Sequence, residues 1–266
     1  MGERVEHDDT VLILDSGVGG LSIAESITGR IEASVAYVAD TLGFPYGVKN
    51  EEELWDRLES IVKHCSLAFQ MRLCVIACNT ATVIGLAKLR KRFPEITFVG
   101  TVPPIKKIEN YAVRSRFGLL ATEVTLIHSY TKRLHRAFSK NVGMITIPAR
   151  VLIEKIEQYA PEWDHSAILS EIESLALSIR DIDIEVLVHG CTHFHHVIPL
   201  FERYLPHVEH IDSVEGVTQR VEFLWTQELK CSPGNSRCDV YTTDTSESQR
   251  WSRIAESSGF RWMGTI

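Results

Sequence analysis

Apolar and polar positions follow two rhythms along the chain. Short β-branched runs recur as "VLIL" (11–14), "VAYVA" (35–39), "LCVIA" (73–77), "ITFVG" (96–100), "FGLLA" (117–121), "VGMITI" (142–147), "EVLVH" (185–189), "VEHI" (208–211) and "DVYTT" (239–243). Near-continuous apolar runs of this length read as strands buried on both faces. Between most of them lie longer stretches whose apolar residues recur at three- and four-residue spacing, as in helices with one buried stripe. The clearest is 50–69, where Asn50 stands as an N-cap, Glu53 completes a capping box, and Leu54, Leu58, Ile61 and Val62 share a face. The alternation predicts an α/β protein of mostly parallel sheets covered by helices.

A weak internal repeat refines this picture. "LILDSGVGGL" (12–21) and "GLLATEVTLI" (118–127) are each a strand running into a polar residue, Asp15 or Thr122, before a helical pattern. Further on, "CVIACNTA" (74–81) and "VLVHGCTH" (186–193) each carry a strand into a cysteine, 63 residues after Asp15 and 69 after Thr122. The repeat predicts two pseudo-symmetric α/β lobes, each offering one cysteine. The expected division places 1–100 plus 209–266 in the lobe of Cys78 and 101–208 in the lobe of Cys191.

Composition narrows the function classes. The 266 residues are 44% apolar, enough for a sizeable core, and the formal net charge is −7. That balance, with no basic stripe, argues against a nucleic-acid surface. "KLRKRF" (88–93) reads as the cationic last turn of a helix. The acidic N-terminus has neither the apolar core of a secretory signal nor the Ser/Thr of a myristoylation site, since Glu6 stands there. No apolar stretch is long enough to span a bilayer. The expected location is the cytoplasm, with all six cysteines as reduced thiols.

Three strand ends carry candidate chemistry: Asp15-Ser16, Cys78-Asn79-Thr80 and Cys191-Thr192-His193. In open parallel sheets ligands sit beyond the carboxyl ends of strands, where loops enter helix N-termini and backbone N–H groups favour an anion. A thiol placed there is primed as a base or nucleophile. An inert buried thiol is the default for cysteine, and it applies to Cys65 and Cys74. Cys78 and Cys191 escape it because polar residues follow at once and the two positions match between halves. Asp15 reads as a helix cap or as a ligand contact assisting Cys78, and His193 as a partner holding or relaying the proton of Cys191. "DSGVGG" (15–20) lacks the remaining residues of a dinucleotide or phosphate loop, so its glycines point to a tight turn close to a small ligand. "HGCTHFHH" (189–196) lacks the recurring spaced pairs of a zinc site, and no metal is expected.

The ordered blocks "LDSGVGGLS", "PYG" (45–47), "ACNTAT", "LATEVT" (120–125), "GCTHF" and "YTT" (241–243) resemble the glutamate racemase family, within the aspartate/glutamate racemase superfamily. The resemblance implies a cofactor-independent enzyme that interconverts L- and D-glutamate, the D-enantiomer feeding peptidoglycan synthesis. It further implies that Cys78 acts on the D-enantiomer and Cys191 on the L-enantiomer from opposite faces of the α-carbon, assisted by Asp15 and His193. Substrate contacts are implied at Asp15, Ser16, Tyr46, Gly47, Asn79, Thr80, Thr125, Thr192 and His193, with the amino acid as the partner and a homodimer left open. The chain departs from the family pattern at Val124, where Gly is usual, at "FHHV" (194–197), and at "TIPARVLIEKIE" (146–157), which loosely matches a Pro-rich stretch ending in Glu. A racemase of aspartate or of broader range, a hydrolase using Cys191 with His193, and a non-catalytic amino-acid-binding protein are the competing readings.

Overall fold

The computed structural model describes residues 9–110, 116–231, 234 and 236–266. The N-terminal segment through residue 8 and part of the "CSPGNSRC" loop lie outside the described residues. The strands are β1 (Thr10–Asp15), β2 (Ser34–Ala39), β3 (Met71–Ile76), β4 (Thr97–Gly100), β5 (Arg116–Ala121), β6 (Gly143–Pro148), β7 (Val186–His189), β8 (Glu209–Ile211), β9 (Arg237–Thr242) and β10 (Arg261–Thr265). The helices are α1 (Leu21–Thr28), α2 (Glu51–Ala68), α3 (Asn79–Arg92), α4 (Glu123–Ile127), α5 (Ser129–Phe138), α6 (Arg150–Tyr159), α7 (Ser166–Arg180), α8 (Ile198–Tyr204), α9 (Val214–Phe223) and α10 (Ser248–Ser257).

All strand pairs are parallel, in two sheets ordered β10-β9-β2-β1-β3-β4 and β6-β5-β7-β8. The order β2-β1-β3-β4 is repeated as β6-β5-β7-β8, so β1 corresponds to β5 and β3 to β7. This is the pseudo-symmetry expected from the strand-end repeat. In each sheet the chain leaves the central strand in one direction and returns on its other side. The resulting switch points, between β1 and β3 and between β5 and β7, are where such sheets hold ligands. Asp15 and Cys78 flank the first, and Thr122 and Cys191 the second.

The sheets share one core. A continuous apolar cluster runs from Val11, Ile13, Val35 and Tyr37 through Ile23 and Ile27 of α1 to Leu187, Phe194, Val197 and Phe201. This shared packing fixes the two switch points relative to each other.

Three differences from the sequence reading have local causes. Strand β10, absent from that reading, is an edge strand with alternately exposed residues and Gly264 at φ +110°, so it carries no apolar run. Strand β8 pairs with β7, so the second sheet extends past the expected boundary at 208/209. Asn50 does cap α2, accepting from the Glu53 N–H at 2.8 Å, but the Glu53 carboxylate pairs with Lys49 Nζ at 2.7 Å. The cationic last turn of α3 forms as expected, with Arg90, Lys91 and Arg92.

Candidate active site

Asp15 ends β1 fully buried. Its Oδ1 accepts from the Ser16 N–H at 2.6 Å and the Gly17 N–H at 3.4 Å, and Thr192 Oγ1 donates to its Oδ2 at 3.2 Å. The helix-cap alternative does not hold, because α1 begins six residues later with Gly20 as its N-cap. Instead Asp15 ties down the start of the glycine loop and reaches the other lobe through Thr192. The glycines are there for close approach: a Cβ on Gly17 would lie 2.0 Å from Glu157 Oε2, and one on Gly19 would lie 2.6 Å from both His193 Nδ1 and Thr192 Oγ1.

Cys78 is the N-cap residue of α3, with extended backbone leading from β3 into the helix. Beside it, Asn79 Nδ2 donates to the Thr101 carbonyl at 3.2 Å. Thr80 Oγ1 lies 3.1 Å from Thr122 Oγ1, which donates to Thr125 Oγ1 at 3.0 Å. These hydroxyls join the first lobe's switch point to the second's. Cys191 also follows a buried strand, but it caps a 3₁₀ turn over Thr192–Val197 and not an α-helix. The dipole assistance expected there is weaker, and a side chain takes its place. His193 Nδ1 lies 3.7 Å from Cys191 Sγ, and its Nε2 lies 3.0 Å from Glu157 Oε2. Glu157 also accepts from the Val18 N–H at 2.8 Å and from Arg250 Nη2 at 3.1 Å, while Arg250 bonds the Glu157 backbone carbonyl as well.

The electrostatics of the two halves differ. Burial alone disfavours a charged His193, but the Cys191 thiol and the Glu157 carboxylate outweigh it and raise its pKa well above the usual value. Burial likewise works against an ionised Glu157, yet His193, Arg250 and the Val18 N–H hold its carboxyl below the ordinary range. On the opposite side, burial and then the Asp15 charge push the Cys78 thiol well up. Burial also raises Asp15, more than His193 and the loop N–H groups lower it. The arrangement therefore favours a protonated thiol at Cys78 and a cationic imidazole at His193, facing the Cys191 sulfur.

Both cysteines line one narrow cavity, together with Ser16, Pro45, Tyr46, Gly47, Thr80, Thr122 and His193. Arg150, Glu123 and Glu154 also line it, beside the apolar Phe44, Val48 and Ile153. Of the other sequence-derived candidates, Asp15, Asn79, Thr125 and Thr192 are buried and do not line it; Asp15 bonds Ser16, and Thr125 bonds Thr80 and Thr122. The Tyr46 hydroxyl is turned away and donates to Asp40 Oδ2 at 2.7 Å, where Asp40 is also gripped by Arg57 and by Thr243 Oγ1. Val124, at the family's glycine position, packs against the cluster that holds Tyr46 and Cys78.

The remaining histidines are separately engaged. His195 Nδ1 lies 3.0 Å from Ser22 Oγ, while His196 Nε2 donates to the Val18 carbonyl at 3.0 Å and its ring stacks on Trp163. Burial pushes their pKa values down to about 3 and about 4. Among the described residues no cluster of His, Cys, Asp or Glu has metal-binding geometry. Cys65 and Cys74 are buried free thiols, and burial pushes Cys65 up to about 12.

The sequence reading did not place Glu157, Thr122, Asp40 or Arg250 in the site. Glu157 carried a usable signal: it stands four residues after Ile153 on the buried face of α6, where an ionisable side chain demands a partner. Thr122 was visible as a strand end of the repeat. Nothing local marked Arg250, whose partner is 93 residues away.

A family model for Asp/Glu/Hydantoin racemase matches residues 22–221. The chain is 35% identical over 225 residues to the glutamate racemase of Agrobacterium fabrum, covering 80% of each chain. It is 33% identical over 265 residues to that of Treponema pallidum, covering 95% of each. Its fold matches the crystal structure of Escherichia coli glutamate racemase in complex with L-glutamate and the activator UDP-MurNAc-Ala, with a TM-score of 0.87 and 27% identity over 97% of this chain and 98% of that one. No helix among the described residues is long and apolar enough to cross a membrane.

Proposed function

The chain belongs to the Asp/Glu/Hydantoin racemase family and is a racemase, and from that premise we propose that it interconverts L- and D-glutamate through two opposed cysteines, without a cofactor. The observation that carries this reading is the presence of Cys78 and Cys191 in one cavity, each at the switch point of its own sheet. In the forward direction the Cys191 thiolate takes the α-proton of L-glutamate, forming its S–H bond. The C–H electron pair spreads into the substrate α-carboxylate. The Cys78 S–H then delivers its proton to the opposite face, forming D-glutamate and leaving Cys78 as the thiolate. The reverse reaction runs from that state.

The surroundings match each demand. His193 as imidazolium, held by Glu157, stabilises the Cys191 thiolate. Buried donors around the cavity, including the Ser16, Thr80 and Thr122 hydroxyls, suit the charge that grows on the substrate carboxylates. Enclosure between the lobes removes water from a step in which a very weak carbon acid is ionised. The D-glutamate is destined for peptidoglycan, and the enzyme works in the cytoplasm.

Two outcomes follow. Circular dichroism on pure enantiomers shows racemisation of glutamate in both directions, and aspartate, one methylene shorter, reacts at least tenfold more slowly at equal concentration. Equal or faster turnover of aspartate replaces the glutamate assignment. The pH profile provides a second check, since the working state needs one thiol protonated while the other is not. Burial raises Cys78, so activity persists above about pH 8.5, where an ordinary thiol ionises. An alkaline decline below that value contradicts this protonation state.

A further inference from the structure

We propose that Arg250, on α10, is a positioning residue for the Cys191 half of the site, acting through Glu157 and His193. The inference rests on the reading of Cys191 and His193 as an acid/base pair. Four groups form an unbroken chain: Cys191 Sγ to His193 Nδ1 at 3.7 Å, His193 Nε2 to Glu157 Oε2 at 3.0 Å, and Glu157 Oε1 to Arg250 Nη2 at 3.1 Å. Arg250 also bonds the Glu157 backbone carbonyl, so it fixes both ends of that residue. With Oε2 facing His193 and Oε1 facing Arg250, the carboxylate has one orientation, and it aims at the imidazole. Both bonds to Glu157 come from Nη2 while Nη1 donates to Glu247, and an ammonium reproduces the charge without this fixed division of donors.

Every charged or titratable group facing Glu157 bears on its ionisation. His193 and Arg250 favour the anion, as does the Val18 N–H. Asp15 and Tyr37 are coupled to Glu157, and His196 faces it with burial keeping it neutral. Glu247 draws on Arg250 from outside, accepting from Nη1 at 2.7 Å. Arg250 is thus the one permanent cation touching this carboxylate among the described residues. On the other side Asp15, the carboxylate neighbouring Cys78, is held by backbone N–H groups and Thr192, and among the described residues no arginine or lysine pairs with it. The two half-reactions are therefore supported unequally, and damage at Arg250 falls on one of them.

That asymmetry separates positioning from stapling of α10. L- and D-glutamate have equal free energy, so kcat/KM stays equal in the two directions in any variant. The isotope effects need not. In Arg250→Met the proton transfer at Cys191 becomes more rate-limiting, so the kinetic isotope effect with α-deuterated L-glutamate rises and that with α-deuterated D-glutamate falls towards one. The acid limb of kcat/KM moves up by about one pH unit as Glu157 loses a cation. Arg250→Lys restores the limb and leaves part of the isotope asymmetry. Glu247→Gln, on a partly exposed side chain, moves the limb the other way by a few tenths of a unit. The same inflection, read by NMR from the ¹⁵N resonances of His193 as Glu157 titrates, shifts upward in Arg250→Met whether or not glutamate is the substrate. A wild-type protein inert towards glutamate therefore overturns the functional reading while this titration still decides the role of Arg250. Folded Arg250→Met with unchanged isotope effects and an unchanged inflection overturns the proposal. If Arg250→Met does not fold, wild-type behaviour of both Arg250→Lys and Glu247→Gln overturns it.

Discussion

Replacing Cys191 by Ala abolishes racemisation from either enantiomer, and replacing Cys78 by Ala does the same. The expected loss is about 10³-fold or more in each case, because a positioned acid/base contributes on the order of 10²–10⁴-fold and no other group on that face can take its place. The symmetry of the prediction is its content. A protein using Cys191 with His193 as a hydrolytic nucleophile and base needs Cys191 alone and tolerates loss of Cys78. A binding protein tolerates loss of both. Each truncation removes a single sulfur from a buried site, so the cost in stability is about 1 kcal/mol and both variants remain folded by circular dichroism. Cys74→Ala, inside β3, supplies the control. It perturbs a comparably buried thiol and leaves turnover close to wild type. Full activity in Cys78→Ala removes the two-base mechanism.

Glu157→Ala carries the second large effect, on stability and activity together. Glu157 sits inside the protein among His193, Arg250 and the Val18 N–H, and its removal leaves all three without their carboxylate. Breaking a buried ion pair from one side costs about 3–5 kcal/mol, which for a chain of this size lowers Tm by about 10 °C. Racemisation falls by at least about 10²-fold, since His193 loses the group that orients and charges it. Glu157→Gln keeps hydrogen-bonding atoms and loses the charge, so it is the milder variant in thermal melts. The pH dependence has a definite sign. The Glu157 carboxyl is held below its ordinary value of 4.5, so its stabilising contribution is complete above that pH and is lost as pH falls through the folded value. The gap in Tm between wild type and Glu157→Gln is therefore widest above about pH 5 and closes in more acid solution. A gap independent of pH contradicts the ionised state of Glu157.

What could be read from the sequence follows from where each signal resides. Strands buried on both faces must be apolar, so β1, β2, β5 and β7 showed themselves as near-continuous apolar runs, while the more exposed β6, β8 and β9 showed only shorter β-branched stretches. The edge strand β10 is half exposed and turns at a positive-φ glycine, so its residues resemble a loop. The cysteines were legible because each ends an apolar run and begins a polar one, and because the second repeats the first. The side chains behind them were harder to find. Glu157 and His193 are 36 residues apart, and Arg250 is 93 residues beyond Glu157; the shared core sets these distances, and no local pattern encodes them. Asp15 shows the converse problem: an acidic residue before a glycine loop resembles a helix cap, and only the position of Gly20 reveals that the helix starts elsewhere.

In the proposed two-base mechanism one cysteine takes the proton and the other returns a different one. Fully exchanged enzyme incubated with L-glutamate in heavy water, followed by NMR and chiral separation at early times, tests it most directly. The expected result is D-glutamate carrying deuterium at the α-carbon while the remaining L-glutamate keeps its protium. Deuterium entering the L-glutamate pool as fast as D-glutamate forms indicates a single base serving both faces and overturns the two-cysteine mechanism.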